Sequence, residues 1–483
     1  MFLYTGKSRL AISAQFNSIG GFTDSASSCP IGWDLSFVQI SVINCAATAT
    51  NINTDSAEVG PESNDSVGSS LEAAAVEMES VSKAISDVQL DNIMENNLNG
   101  SQENSTGKNE LSGFWKNANE TMQKFDANKD QHLDFAEFSA LCEALFVNNG
   151  KAYTIEEKTL RTIFKIFDQN SNGVLCMYEF TECYNAWIKK ILNPVSAIVV
   201  IDVQNDFISG SLALKNSPAH QDGAEVVEPI NRMLENVAFD KVFYSLDWHP
   251  TNHISFADNV NLRKLDKSSP IQDPNEAKEF DVVVFEGPPL MEQKLWPRHC
   301  VQKSWGAQLQ DDLKVLPDGQ MIYKGTNPDR DSYSALFDNA KTSSTDLVGL
   351  LSEFGITDVY VCGLAADFCV GKFMSVETCH NVLFIVKKNK NLTLVLLTLT
   401  GFTGKDALDL GYRTIFVEDA TRGITMEGIN ATHENLIENH AILVQTDEVK
   451  DMVSGVDRRP ELGLKLALEI EKKRLQNGKT EKN

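Results

Sequence analysis

Six short runs of apolar, β-branched and aromatic residues recur beyond residue 195, at 197–201, 241–246, 319–323, 358–362, 414–417 and 441–445, with helical stretches between them. Runs that are apolar throughout, rather than on alternate residues, belong to strands buried on both faces. Alternation with helices then predicts a parallel sheet covered on both sides, because parallel neighbours need long crossovers. In such sheets the ligand sits beyond the carboxyl ends of the strands. Any chemistry should therefore stand just after each run.

Reactive groups do stand there. The first run is followed by Asp202-Val203-Gln204-Asn205-Asp206-Phe207. The second ends in Asp247-Trp248-His249, where strand alternation puts a carboxylate and an imidazole on one side, as two metal ligands require. His253 follows, and Trp296-Pro297-Arg298-His299-Cys300 supplies a further imidazole. One carboxylate with two or three imidazoles suits Zn²⁺, Fe²⁺ or Mn²⁺, and fewer than four protein ligands leave room for water or substrate. The third run ends in Tyr323-Lys324-Gly325, and the fourth leads to Cys369. A thiol that opens a helix has its pKa lowered by the unpaired N–H groups there, although a lone Cys beside a strand is ordinarily core packing. Taken together, Asp202, Lys324 and Cys369 form a nucleophile with its activators. The ammonium stabilises the thiolate, and the carboxylate accepts the thiol proton and returns it to a leaving amine. Acyl transfer is the implied reaction.

Ahead of the sheet, residues 113–192 read as helix, acidic loop, helix, and then the same again. The first loop, 126–137, is D-A-N-K-D-Q-H-L-D-F-A-E. Asp126, Asn128, Asp130, Asp134 and Glu137 place side-chain oxygens at the spacing that wraps a hard cation, with His132 at the backbone-carbonyl position. The second, 168–179, offers Asp168, Asn170, Asn172 and Glu179, with Val174 at the carbonyl position and Gly173 at the sharp turn. The pair resembles an EF-hand domain, which implies Ca²⁺. It departs from the pattern at Gln131, where a glycine is usual, and at Cys176, a poor substitute for oxygen. A pair that caps the structure and holds calcium weakly is the alternative. Leu133 and Leu175 should join the loops through a short strand contact.

Residues 1–112 are largely rich in Ser, Asn, Ala and Glu with few aromatics, and read as mostly disordered, with one marginal helix at 70–94. Lys7 and Arg9, with no acid before Asp24, faintly resemble an organellar presequence. The domain reading is therefore 1–112, an EF-hand pair at 113–192, an α/β domain at 195–455, and a C-terminal helix or tail at 456–483. A net charge of −24 argues against nucleic acid and anionic membranes as partners. Nine cysteines without CxxC pairs suit a reducing compartment, cytoplasmic or nuclear. No run reaches the length of a membrane span.

The pieces I-V-V-I-D-V-Q-N-D-F with G-S-L-A-L, D-W-H-P-T-N-H-I-S-F, L-W-P-R-H-C, K-G-T-N-P-D-R-D-S-Y-S-A-L-F and G-L-A-A-D-F-C-V resemble nicotinamidases of the isochorismatase-like hydrolase superfamily, over residues 195–449. The resemblance implies a six-stranded parallel sheet with helices on both faces, and hydrolysis of nicotinamide to nicotinate and ammonia in NAD salvage. It makes Cys369 the nucleophile, Asp202 the proton acceptor and donor, and Lys324 the charge partner. It makes Asp247, His249 and His299 the metal ligands, with His253 as an extra ligand in some relatives. Phe207, Trp296 and Tyr333 would wall the pyridine ring, and the N–H groups of Ala365 and Cys369 would form an oxyanion hole. A homo-oligomer is compatible with this reading.

The chain departs from the family after Gly371. Residues 372–401 intervene before F-T-G-K-D-A-L-D-L-G-Y resumes at Phe402. The inserted L-T-L-V-L-L-T-L-T has the character of an aggregation-prone strand, yet it interrupts what should be a helix. It reads as damage to the site, with a functional lid as the alternative. Two further readings stand beside the enzyme: a related small-amide hydrolase, and a calcium-responsive, non-enzymatic protein disabled by the insertion.

Overall fold

The computed structural model describes residues 115–287, 290–365, 384–388, 391–395 and 399–480. The expectations for residues 1–112, for Cys369 and for 372–383 lie outside them.

The EF-hand pair is built from α1 (Ala118–Phe125), β1 (His132–Asp134), α2 (Phe135–Leu145), α3 (Glu157–Phe167), β2 (Val174–Cys176) and α4 (Met177–Cys183). β1 and β2 pair antiparallel with Leu133 opposite Leu175, as the loop spacing predicts. Asp134 caps α2 reciprocally with Glu137, so the last residue of the first loop also starts the helix. Beyond α4 the helix continues through a π-turn, Tyr184–Ile188, to Leu192. Such an added residue per turn rotates the following side chains, and Trp187 and Ile188 are fully buried.

The α/β domain contains β3 (Ser196–Ile201), α5 (Val227–Asn236), β4 (Lys241–Asp247), β5 (Val282–Phe285), β6 (Met291–Lys294), β7 (Gln320–Lys324), α6 (Asp346–Glu353) and β8 (Asp358–Gly363). β9 (Phe384–Lys388), β10 (Asn391–Val395), α7 (Leu399–Asp409), β11 (Arg413–Thr421), α8 (Met426–Glu438), β12 (Ile442–Val444) and α9 (Pro460–Thr480) complete it. Six strands form one sheet in the order β12-β11-β8-β3-β4-β7, and every neighbouring pair is parallel. β3, buried along its whole length, sits near the centre, as its unbroken apolar run requires.

Alternate residues of these strands face opposite layers. Ile198, Val200, Tyr244, Tyr360 and Val417 pack with Ile230 and Met233 of α5. Ala197, Val199, Phe243 and Val361 pack with Leu347 and Leu351 of α6 and with Ala407 of α7. Helices thus cover both faces. Among the described residues no helix is long and apolar enough to cross a membrane.

Three features depart from the sequence reading. β7 runs one residue further than expected, so that Lys324 is its last residue and stands opposite Asp247 in the ladder. The insertion is not a lone strand: β9 and β10 pair antiparallel, Phe384 opposite Val395 through Lys388 opposite Asn391, and α7 starts at Leu399, inside the inserted segment. The C-terminal helix expected within 456–483 is present as α9, but its seat was not expected: Leu466 and Ala467 are buried in the EF-hand core.

Candidate active site

The carboxyl ends of four adjacent strands, β8, β3, β4 and β7, converge on one cavity of about 400 Å³. Phe207, Trp296, Tyr333, Asp247, His299 and Ala365 are among the residues that line it. Asp202 follows β3, Asp247 ends β4, Lys324 ends β7 and Ala365 follows β8. Asp202, Ala365 and Cys300 all have positive φ, at 49°, 54° and 45°. Non-glycine residues rarely adopt that conformation, and such strain collects at functional sites.

At the centre, Lys324 joins two carboxylates. Its Nζ is 2.8 Å from Asp202 Oδ2 and also bonds Asp247 Oδ1 and the Ser332 carbonyl. Ser245 Oγ donates to Asp202 Oδ1 at 2.5 Å, whereas Oδ2 has no aligned hydrogen bond. That oxygen is a buried acceptor with spare capacity. Burial pushes the Asp202 carboxyl up, against the pull of Lys324. Burial acts on Asp247 in the same sense, but Lys324, His249 and His299 outweigh it and hold that carboxyl far below the usual range. Burial opposes the charge of Lys324, and its two carboxylates overcome it, so the ammonium is held above its ordinary value. Two carboxylates of one strand layer therefore have pKa values driven apart, which suits one to proton transfer and the other to permanent charge.

His249 and His299 both turn Nε2 towards Asp247 Oδ2, at 3.6 and 3.8 Å. The other ring nitrogen of each faces a carbonyl: His249 Nδ1 that of Gly325 at 2.9 Å, and His299 Nδ1 that of Pro297 at 2.7 Å. A carbonyl only accepts, so each Nδ1 carries a proton and Nε2 is the nitrogen that faces Asp247, free to ligate when the ring is neutral. Against its burial, Asp247 raises the proton affinity of His249, whereas burial and His249 lower His299 to about 4. Gly325 is required here, since a Cβ would lie 2.3 Å from the His249 ring. Two ligands bonded at about 2.1 Å to one tetrahedral ion lie roughly 3.4 Å apart, so Asp247, His249 and His299 fit a first-row divalent metal.

His253 is arranged differently. Its ring stacks on His249 with centroids 4.1 Å apart, its Nε2 is 3.1 Å from the Arg330 carbonyl, and its Nδ1 is 2.7 Å from Ser255 Oγ. Nε2 must donate to the carbonyl and Nδ1 must accept from the hydroxyl, so both nitrogens are engaged. Asp331 lies near enough to make a second acidic group with His249 and His253, but that set contains the imidazole with no spare lone pair. Burial and the neighbouring His249 lower His253 to about 3, keeping it neutral.

Phe207 lies 5.6 Å from the His299 ring and Trp296 6.4 Å, so the two aromatics flank that imidazole. Tyr333 stands 5.7 Å from Phe402, where the family-like sequence resumes. Cys369 lies outside the described residues, beyond Ala365 on the chain that leaves β8.

Two supporting residues escaped the sequence reading. Gln204 donates Nε2 to the carbonyls of Asp247 and Ala307 at 2.8 and 2.9 Å, and its Oε1 accepts the Asp247 N–H at 2.9 Å. Asp206 accepts the N–H groups of Cys300 and Ser211 at 2.7 and 3.1 Å, tying the His299 loop to the turn after β3. Their nearness to Asp202 in the chain was the available signal.

In the first EF-hand loop, Asp126 accepts the N–H of Asp130 and Gln131, and Glu137 accepts that of Ala127. Gln131 takes φ 67° where the second loop has Gly173 at 87°. Asp168 accepts the N–H of Asn172 and Gly173 in the same way.

An isochorismatase domain matches residues 196–376, and an EF-hand domain pair matches residues 116–184. A nicotinamidase from Escherichia coli is 31% identical over 242 residues, which are 50% of this chain and 89% of that protein. A nicotinamidase from Acinetobacter baylyi is 40% identical over 176 residues, 36% of this chain and 70% of that protein. A nicotinamidase from Saccharomyces cerevisiae is 29% identical over 251 residues, 50% of this chain and 95% of that protein.

Proposed function

The chain belongs to the nicotinamidase family, carried on an isochorismatase domain, and is an amidohydrolase; from that premise we propose that it hydrolyses nicotinamide to nicotinate and ammonia through a thioester on Cys369. The observation that carries this reading is the buried set Asp202, Lys324 and Asp247, in which one ammonium serves two carboxylates of opposed proton affinity.

In this mechanism the pyridine ring lies among Phe207, Trp296 and Tyr333. Asp202 Oδ2 takes the proton of the Cys369 thiol, and the sulfur bonds to the amide carbon. The backbone N–H groups of Ala365 and Cys369 hold the oxyanion. Asp202 then returns the proton to the departing nitrogen as the C–N bond breaks, releasing ammonia and leaving the thioester. Water, deprotonated by Asp202, attacks the thioester carbon, the C–S bond breaks, and nicotinate leaves with the thiol re-formed. Lys324 keeps Asp202 and Asp247 in register throughout. Asp247, His249 and His299 would hold Zn²⁺, or Fe²⁺ or Mn²⁺, which when bound supplies a Lewis-acid anchor for the pyridine nitrogen. His253 acts by packing, because both its ring nitrogens are used.

Nicotinate produced this way feeds NAD synthesis. The EF-hand pair binds Ca²⁺ in this reading, through Asp126, Asn128, Asp130 and Glu137, and through Asp168, Asn170, Asn172 and Glu179, with the carbonyls of His132 and Val174; these are hard oxygen donors. Free Cys142, Cys176, Cys183, Cys300 and Cys362 support a reducing, cytoplasmic setting. Ammonia release from nicotinamide, with and without a chelator, tests the proposal. Turnover of other small amides in preference to nicotinamide would replace the substrate while keeping the chemistry.

A further inference from the structure

The C-terminal helix α9 touches two parts of the molecule. On one side Leu466 and Ala467 are buried in the EF-hand core, with Leu464, Leu468 and Ile470 packed at its edge. Gly463 lies so close to Phe146 that a Cβ would come within 2.3 Å of its ring. Beside it, the fully buried Trp187 donates its indole N–H to the Gly463 carbonyl at 2.8 Å. On the other side Leu462 belongs to the core of the α/β domain. Lys465 donates to the Leu408 carbonyl near the end of α7 at 3.0 Å, while pairing with Glu469 at 2.8 Å.

Arg474 makes the decisive contact. It donates to the Ile166 carbonyl at 2.7 Å and pairs with Glu182 at 3.0 Å, its guanidinium 5.6 Å from the Phe167 ring. Ile166 lies on α3, which enters the second calcium loop, and Glu182 on α4, which leaves it. One rigid fork therefore spans both helices of that loop. Calcium ligation in sensor EF-hands changes the angle between exactly such a pair of helices. A change in that angle would strain or relax the fork.

We propose that α9 is the target helix of this EF-hand pair, supplied in cis, and that its seating is positively coupled to calcium binding at the second loop. The proposal rests on the calcium reading above. Its sign follows from geometry: target helices occupy the apolar groove that calcium opens, and α9 already fills that groove with Leu466 and Ala467. Linkage is reciprocal, so α9 raises calcium affinity by the factor with which calcium tightens α9. Because α9 also holds the end of α7, the same helix carries the state of the EF-hand pair to the layer that covers β8.

The test uses the full chain and calcium alone as the probe, comparing wild type with Arg474→Ala and Gly463→Leu by calorimetry. Gly463→Leu drives a side chain into the buried Phe146 ring; Arg474→Ala removes the fork and its contact with Phe167 but leaves Leu466 and Ala467 in place. In both, the calcium dissociation constant of the second loop should rise about fivefold or more, the lower end of ordinary coupling. Added calcium should slow hydrogen exchange over residues 460–480 in the wild type and less so in the variants. Wild-type calcium affinity in Arg474→Ala overturns the coupling alone. A wild-type chain that binds no calcium overturns the calcium reading and the coupling together.

Discussion

Lys324 and Asp202 face each other across 2.8 Å with no solvent-exposed surface on either side chain. Such a pair is costly to break from one side, because the remaining charge is stranded in the interior. Lys324 also neutralises Asp247, so Lys324→Met strands two carboxylates, while Asp202→Asn leaves Lys324 with a partner. Urea unfolding should show a loss of about 3–5 kcal/mol for Lys324→Met and a clearly smaller one for Asp202→Asn. Equal losses would mean that Asp247 does not depend on Lys324.

Cys369→Ala should abolish ammonia release while folding and metal content stay near wild type, because the thiol attacks and does not ligate. Substantial residual hydrolysis would remove Cys369 from the mechanism.

Asp247→Ala and His249→Ala should lose the bound metal and weaken nicotinamide binding, whereas His253→Phe should retain the metal. Gln204→Ala, which touches no metal, should lower metal affinity about 10–100-fold by releasing the backbone of Asp247. Chelator competition measures all four, and full occupancy in Asp247→Ala would contradict the ligand assignment.

Gln131 holds a left-handed backbone that glycine adopts without penalty. Gln131→Gly should therefore tighten calcium binding at the first loop by roughly 1 kcal/mol, about fivefold. Calorimetry in a Glu179→Gln background isolates that loop; an unchanged affinity would show that the turn is not what limits it.

A chain in which Gly371 is joined directly to Phe402 should be more soluble and at least about tenfold more active, equivalent to about 1.4 kcal/mol of transition-state stabilisation. Loss of activity on deletion would identify the β9–β10 hairpin as a working lid.

The sheet was legible because buried parallel strands leave unbroken apolar runs, and the carboxyl-end rule then pointed to Asp202, Asp247 and Lys324, whereas Ala365 came only from the family resemblance. The loop spacing gave the EF-hand pair and the contact between Leu133 and Leu175. The engagement of both His253 nitrogens was not legible, because its partners are the Arg330 carbonyl and the Ser255 hydroxyl, groups present everywhere along a chain. Gln204 and Asp206 were hidden for the same reason: they act on backbone atoms of distant residues. The β5–β6 hairpin was missed because its runs are short, and β6 is largely polar. The seat of α9 was invisible because an apolar helix face in sequence does not say which surface will cover it.

The bond from Trp187 to Gly463 joins residues separated by 276 positions. At about 5–20 residues per second of synthesis, the EF-hand groove emerges from the ribosome roughly 14–55 seconds before the helix that fills it. During that interval the apolar surface around Phe146 and Trp187 has no cover of its own, and the α/β domain is being made behind it. The nascent chain therefore leaves that surface open for a defined time, which ends when residues 460–480 arrive.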